Sequence, residues 1–506
     1  MKSKESEFSK PSWIVQYPEL VFVILASGFG VLFILLVPPF QAPDEYAHFY
    51  RAYQISEGRM VAEIQEDYIG GYLPESLLAT ALGVTKGVPY PFAIGVSIDT
   101  NYNIDKKLTL SDYTPILKLP VNSQKRVFLA FPNTASYSPV PYLPHQLGFM
   151  IGRLFNLSPI LQFYIARAFN LFVWIGLMFF SIKAIPILKY VFLLLALTPM
   201  SLFIASTLSA DTFTNAIAYL IISVFIRFAY DNNREIRMKD IFILFVLSTL
   251  LSLSKQGYYL LLFLFFLIPA DRFSFIADNK YRLLKYLIVF LALIIINLSL
   301  IMLWSSIVRD IVMLPQSYSP NMSAHDQLSL ILSHPLTYCR TILNTFIRRH
   351  FYLDQLIGVL GWLDTRMPTF ILYSYFIVLV TTSFIEKDKH CVISKFKKVL
   401  IFSIMILTIL LINTLAYLLW TPVGSESIDG IQGRYFIPIF PLAMLLLYNA
   451  KIANQCINIK GIVFDKHLKV IEYIRNNNIV FHLSVVSYSV FTLSLTLSIL
   501  FRRYWV

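Results

Sequence analysis

Charge is scarce in this chain. Only 14% of its 506 residues are Asp, Glu, Lys or Arg, where a soluble domain carries roughly a quarter. With 57% hydrophobic residues gathered into long runs, that shortage excludes a soluble enzyme, a nucleic-acid-binding module and a disordered chain. Cysteine is scarcer still. Cys339, Cys391 and Cys456 stand far apart, so they imply no disulfide framework, metal spacing or redox motif, and the redox compartment stays open. No glycine-rich phosphate cradle occurs. An internal repeat is also missing, which weakens an inverted-repeat transporter reading.

What is present is a series of apolar runs, several near the roughly 20 residues that cross a hydrocarbon layer as a helix. The 42 Lys and Arg against 29 Asp and Glu would suggest a nucleic-acid partner in a soluble protein. Here the cations sit in short loops between apolar runs, where they set membrane orientation. The expected partner is the lipid bilayer, with no nucleic acid.

Residues 1–19 carry Lys2, Lys4 and Lys10 and are placed in the cytoplasm. The run 20–37 has no small-residue cleavage site and reads as an uncleaved first span. Cation-rich loops at 227–239, 272–285, 387–398 and 451–475 alternate with poor ones at 206–214, Lys255 and 421–434. Lys183 and Lys189 mark a further cytoplasmic turn. The stretch 142–157 would reverse this weave if it spanned. It is short, is preceded by Pro139 and Pro141, and carries Pro144, His145 and Arg153. It reads as an interfacial helix on the outer surface.

The expected spans are 20–37, 160–182, 190–206, 214–230, 241–254, 257–270, 286–304, 368–385, 399–420, 435–450 and 479–500. The fold class is an all-α polytopic membrane protein with about eleven transmembrane helices. Residues 38–157 and 305–367 form folded outer regions, and 158–304 and 368–506 hold the other spans. Arg502 and Arg503 then fall outside, against the charge rule.

The segment after the first span carries the first candidate site. Prolines 38, 39 and 43 end one helix and open another, headed by Asp44 and Glu45. Tyr46, Phe49, Tyr50 and Tyr53 recur at helical spacing, which predicts an aromatic face at the membrane interface. Acidic residues are also what a helix N-terminus favours. Beside a membrane mouth, however, desolvation tunes a carboxylate as a base, and His48 and Arg51 lie within two turns. Asp44, Glu45 and His48 are also a conceivable divalent-metal set, though their spacing is weak support.

Asp211 stands in an outer loop without Lys or Arg, either as a helix N-cap or as a second acid. Lys255 is a lone cation between two apolar runs, either snorkelling to the interface or facing a polar cavity. In Gln432-Gly433-Arg434-Tyr435, Arg434 is the sole cation of its loop. It is suited to pair with an anionic headgroup or to anchor a helix. Trp362 and Asp364 set an aromatic surface beside a carboxylate. Chemistry at the outer face has no nucleotide supply, so a glycosyl donor there must be lipid-linked. The reaction needs a carboxylate to deprotonate an acceptor hydroxyl and a cation for the departing phosphate.

The segments Pro39-Phe40-Gln41-Ala42-Pro43-Asp44-Glu45, His48 to Tyr53, Tyr137-Ser138-Pro139, Tyr142-Leu143-Pro144 and Ser209-Ala210-Asp211 resemble one bacterial family of multi-pass membrane proteins. Lys255, Gly361 to Thr365 and Gln432-Gly433-Arg434-Tyr435 extend the likeness. Members of that family look like GT-C-type glycosyltransferases. The resemblance runs from about the first span to the tenth, and its Pro-Asp-Glu and Gln-Gly-Arg-Tyr motifs are fairly specific. In length, topology and composition the chain is also loosely similar to phage-encoded, serotype-converting O-antigen glucosyltransferases.

The resemblance implies a GT-C-like bundle with juxtamembrane helices in the first outer loop. Asp44 and Glu45 match the loop acid that serves such enzymes as base or metal ligand, and Asp211 the second acid. It implies a polyprenyl-phosphate sugar donor and an O-antigen or other glycan acceptor, at the periplasmic face of the inner membrane. Asp44 is the preferred base and Glu45 its partner or metal ligand. His48, Arg51, Lys255, Trp362, Asp364, Gln432, Arg434 and Tyr435 are the expected substrate contacts. The competing expectation is a flippase or transporter of lipid-linked sugars, which predicts charges in mid-span and broken helices. An assembly scaffold is a third, and it would leave the outer carboxylates dispensable.

Overall fold

The computed structural model describes residues 17–66, 68–85, 107, 109–231, 234–275, 280–313, 322–348, 352–386, 391–448 and 478–505. Among them six helices are long and apolar enough to cross a membrane: Pro18–Leu36, Pro159–Ala184, Ala210–Tyr230, Arg282–Ile307, Lys395–Trp420 and the C-terminal Asn478–Tyr504. Each covers an expected span.

The other expected spans are shorter or broken. Residues 190–206 form two helices, Lys189–Ala196 and Pro199–Ala205. Pro199 has no N–H to continue the ladder, and Thr198 restarts it as an N-cap that accepts from Ser201 N. The run 257–270 is a tight 3₁₀ helix, Gln256–Leu267, whose 12 residues reach about 24 Å at the 3₁₀ rise, against about 18 Å for an α-helix. The run 435–450 begins as a 3₁₀ turn, Gly433–Ile439, and becomes α-helical at Phe440–Leu447, where Pro441 opens the helix. Met238–Ser254 and Thr369–Ile385 have 17 residues each.

The described part of residues 38–157 folds around an apolar cluster that it shares with later residues, among them Phe163, Leu208 and Ile311. A three-stranded antiparallel sheet, with Tyr68–Pro74 between Glu63–Gln65 and Arg126–Ala130, lies beside the helix Glu45–Ser56. That helix corrects the expectation of an aromatic face at the membrane interface. Tyr46, Phe49, Tyr50 and Tyr53 are all buried, with Phe49 and Tyr53 against Phe149 and Phe49 against Phe163. The opposite side is buried too, because Arg51 is held there by Gln54 Oε1 and the carbonyls of Met60 and Tyr137.

The helix Leu143–Leu154 packs along Pro159–Ala184 through Gly148 and Gly152. A Cβ at either position would press into Ala166 or Gln162. Leu143, Leu147, Met150 and Leu154 are exposed on its far side.

The ends of the bundle are tied by specific bonds. Trp505 Nε1 donates to the Leu36 carbonyl at 2.8 Å, and Arg503 Nη2 donates to Asp364 Oδ2 at 2.7 Å. The last helix therefore finishes beside the end of the first and beside Asp364. The charge at its terminus, anomalous in sequence, is paired with a carboxylate.

Candidate functional site

The site grows from the turn after the first helix. Arg167, inside the helix Pro159–Ala184, donates to the carbonyls of Ile34, Val37 and Pro38 and to both oxygens of Glu45. Arg167 thereby satisfies carbonyls that a helix end leaves unpaired. Glu45 also accepts from Phe40 N and Leu208 N, so one buried ion pair fastens the turn after the first helix to the loop carrying Asp211. Both side chains are fully buried.

Glu45 is thus turned inward, and its neighbour is not. Asp44 sits in the left-handed region at φ 61°, a conformation that Asp tolerates better than most residues. Its carboxylate leads away from Glu45 and keeps 33% exposure. Asn133 Nδ2 donates to Asp44 Oδ1 at 2.7 Å, and Arg434 Nη2 donates to Oδ2 at 3.2 Å. The Nε of Arg434 lies 3.5 Å from Asp211 Oδ2, and Lys255 Nζ donates to Asp211 Oδ1 at 3.1 Å. Two carboxylates and two cations far apart in sequence thus form one alternating chain.

Local structure frees each member. The N-cap of Ala210–Tyr230 is Ser209, whose Oγ accepts from Asp211 N; Asp211 is not the cap, and its carboxylate faces the cations. Asn170 Nδ2 holds the preceding turn through the Thr207 carbonyl and Thr212 Oγ1. Lys255 does not snorkel outward. Its Nζ lies 3.9 Å from the ring centre of Tyr435. Burial is the largest single influence and opposes the ammonium, but Asp211 together with Tyr137, Tyr258 and Tyr435 outweighs it and holds its pKa well above the usual lysine value. Arg434 is carried by a tightly packed loop. Gly433 N donates to Gln355 Oε1 at 2.6 Å, and a Cβ on Gly433 would collide with the Tyr352 carbonyl. The glycine serves close approach of backbone to backbone.

His48 borders the cluster. Its Nδ1 bonds Tyr142 OH at 2.8 Å. Burial, reinforced by Arg434, His145 and Lys255 against the pull of Asp211, lowers its pKa to about 3, and burial alone does the same for His145.

Other expected contacts lie behind the site. Arg51 supports the carbonyl of Tyr137, and Trp362 Nε1 donates to the Phe40 carbonyl at 2.9 Å. Asp364 is taken up by Arg503 and Thr365. The suggested metal set does not fit. Glu45 is consumed by Arg167, His48 turns to Tyr142, and among the described residues no three His, Cys, Asp or Glu side chains converge. Polar atoms do remain for a ligand: among the described residues Gln432 Oε1 and Asn133 Oδ1 are buried without hydrogen-bond partners.

Asn133, Gln355 and Arg167 were not anticipated. Asn133 and Gln355 give no signal in a single sequence. Arg167 does, since a lone charge inside a long apolar run marks a special site by default.

A family model described as predicted membrane protein (DUF2142) matches residues 27–443. The chain belongs to this family. No curated protein and no solved structure matches it. DUF2142 membership makes the chain a membrane protein, in agreement with its six long apolar helices. The matched stretch includes every member of the Asp44–Arg434–Asp211–Lys255 chain.

The buried histidines of this DUF2142 member give a stability prediction. The unfolded chain binds protons at both below about pH 6.5, whereas the folded chain resists them down to about 3. Stability is therefore complete above pH 6.5 and is lost as pH falls toward 3. By pH 5 the loss is about 2 kcal/mol per histidine. Thermal unfolding of the purified protein between pH 7 and 4.5 checks this, and His145→Asn should flatten the slope. A slope that His145→Asn leaves unchanged removes His145 from the account.

Proposed function

We propose that this chain is a GT-C-type glycosyltransferase of the bacterial inner membrane. It transfers a sugar, glucosyl by preference, from a polyprenyl phosphate to an O-antigen or other surface glycan at the periplasmic face. The observation that carries this reading is the half-open Asp44 carboxylate, aligned by Asn133 and Arg434 beside Asp211 and Lys255. In this reading the five shorter or broken apolar segments also cross the bilayer, making about eleven crossings. The cluster then lies on the side away from the cation-rich loops.

Asp44 accepts the proton of the acceptor hydroxyl. The oxygen attacks the anomeric carbon, and the bond from that carbon to the phosphate oxygen breaks, its electron pair leaving with the polyprenyl phosphate. Arg434 and Lys255 offset the charge that develops on the phosphate, and Asp211 holds both cations in place. His48, neutral at working pH, offers a hydrogen bond without adding charge. No metal enters this scheme, since Asp44, Glu45 and His48 are turned to different partners and supply no common ligand set among the described residues.

The direct test incubates purified protein with polyprenyl-phosphate glucose and O-antigen and looks for added hexose by mass spectrometry. No product with any of several polyprenyl-phosphate hexoses defeats the reading. Arg434→Ala should raise the donor KM by at least about tenfold, the scale of a lost charge-assisted contact. Unchanged donor kinetics remove that role.

A second reading, a flippase or transporter of lipid-linked sugars, draws on the break at Leu197–Pro199, since transporters build sites at broken helices. That break is lined by buried aliphatic side chains and closed by Thr198 and Ser201, which gives a polar cargo nothing to bind. Donor translocation in vesicles without transfer would favour it.

A further inference from the structure

The second outer region contains two helices, Ala324–Ser333 and Pro335–Arg348, joined at His334. On the second, Leu336, Cys339, Leu343 and Ile347 fall along one stripe at spacings of three and four residues. Leu336, Leu343 and Ile347 are 84%, 62% and 72% exposed. The opposite face, Tyr338, Thr341, Ile342 and Thr345, is turned toward the bundle. A cap in water would not present its apolar stripe outward.

The position of the hairpin explains the stripe. Tyr338 OH bonds Thr414 Oγ1 at 2.6 Å, and its ring stacks on Tyr417. Thr414 lies six residues before the end of the Lys395–Trp420 helix, about 9 Å inside it at the α-helical rise. The hairpin thus reaches down the side of a helix long and apolar enough to span. It continues the exposed apolar belt of that helix, Phe402, Leu407 and Leu410. Arg340, at the border of the stripe, is placed as cations are on interfacial helices, level with lipid phosphates. Of the possible occupants, acyl chains fit best, because the stripe is continuous with a lipid-facing surface.

We propose that residues 324–348 form a hairpin embedded in the membrane leaflet at the site end, its Leu336–Leu343–Ile347 stripe lying against acyl chains. The inference rests on the membrane character of the family and is independent of glycosyl transfer. It also gives the lipid a hold on the site. Thr345 Oγ1 accepts from Ile428 N, and Gln327 Oε1 accepts from Gly424 N. The hairpin therefore braces the loop that leads into Gln432 and Arg434.

Cys339 supplies the probe. Cys391 and Cys456 are replaced by serine, and an environment-sensitive nitrobenzoxadiazole dye is attached at Cys339. The full chain is reconstituted in phosphatidylcholine–phosphatidylglycerol nanodiscs. A second variant, Cys339→Ser with Thr337→Cys, places the dye on the polar flank of the same helix. Nitroxide on the acyl chain near the headgroup should quench the Cys339 dye about twofold and more than the dye at 337, with iodide showing the reverse order. Equal quenching at the two positions, or iodide as the stronger quencher at Cys339, puts the stripe in water. Exclusion of both quenchers, with Cys339-to-Cys339 cross-linking of the unlabelled variant, puts a second copy there. Either result overturns the proposal.

Discussion

Replacing Asp44 with Asn should lower sugar transfer by about 10²–10⁴-fold, the contribution of a positioned general base, with insertion and thermal stability nearly unchanged. The isosteric amide suits this position for three reasons. Asn tolerates the left-handed backbone as well as Asp does. Its oxygen can still accept from Asn133. At 33% exposure the position does not leave Arg434 buried with no carboxylate, since Asp211 remains 3.5 Å away. Rate and melting temperature measured on one preparation check this. Full activity of the variant removes Asp44 as base, and with it the proposed mechanism.

Arg167→Ala should have the opposite signature: loss of the folded protein. Arg167 and Glu45 are fully buried and paired at 2.7 Å, and removing one partner strands a buried charge with no counter-charge beside it. Breaking such a pair typically costs about 3–5 kcal/mol. Here three backbone carbonyls lose their donor as well. Melting temperature and yield from the membrane should fall together. Glu45→Gln should behave likewise, losing stability and activity in parallel, whereas Asp44→Asn loses activity alone. A stable, inactive Glu45→Gln would restore Glu45 to the chemistry.

That contrast marks how far the residues could be read without the fold. The acidic pair was visible, but its division of labour was not. Neighbouring side chains on a helix point about 100° apart, and which one meets Arg167 depends on a helix more than a hundred residues away. Tyr46, Phe49, Tyr50 and Tyr53 gave a true helical period and a wrong environment. Periodicity reports a face that avoids water, and here Met60 and Tyr137, which hold Arg51, cover the other face as well. Asp364 beside Trp362 read as a substrate contact, whereas Arg503 claims the carboxylate. The span expected over 190–206 missed the interruption at Thr198-Pro199, although proline's missing N–H is a signal for it; the 3₁₀ winding of Gln256–Leu267 leaves no such signal, since composition does not separate it from an α-helix.

The sequence by itself determined that this is a helical membrane protein, because long uncharged runs have no stable place in water. It also marked Asp44, Asp211, Lys255 and Arg434, since an isolated charge beside such a run needs a partner or a task. Only the tertiary structure decided that these four form one chain of ion pairs while Glu45, Arg51 and Asp364 serve the scaffold. The reason is physical: Coulombic pairing depends on distance in space. The contacts that matter here join positions 44 to 434, 211 to 255 and 45 to 167, separations over which local periodicity carries no information.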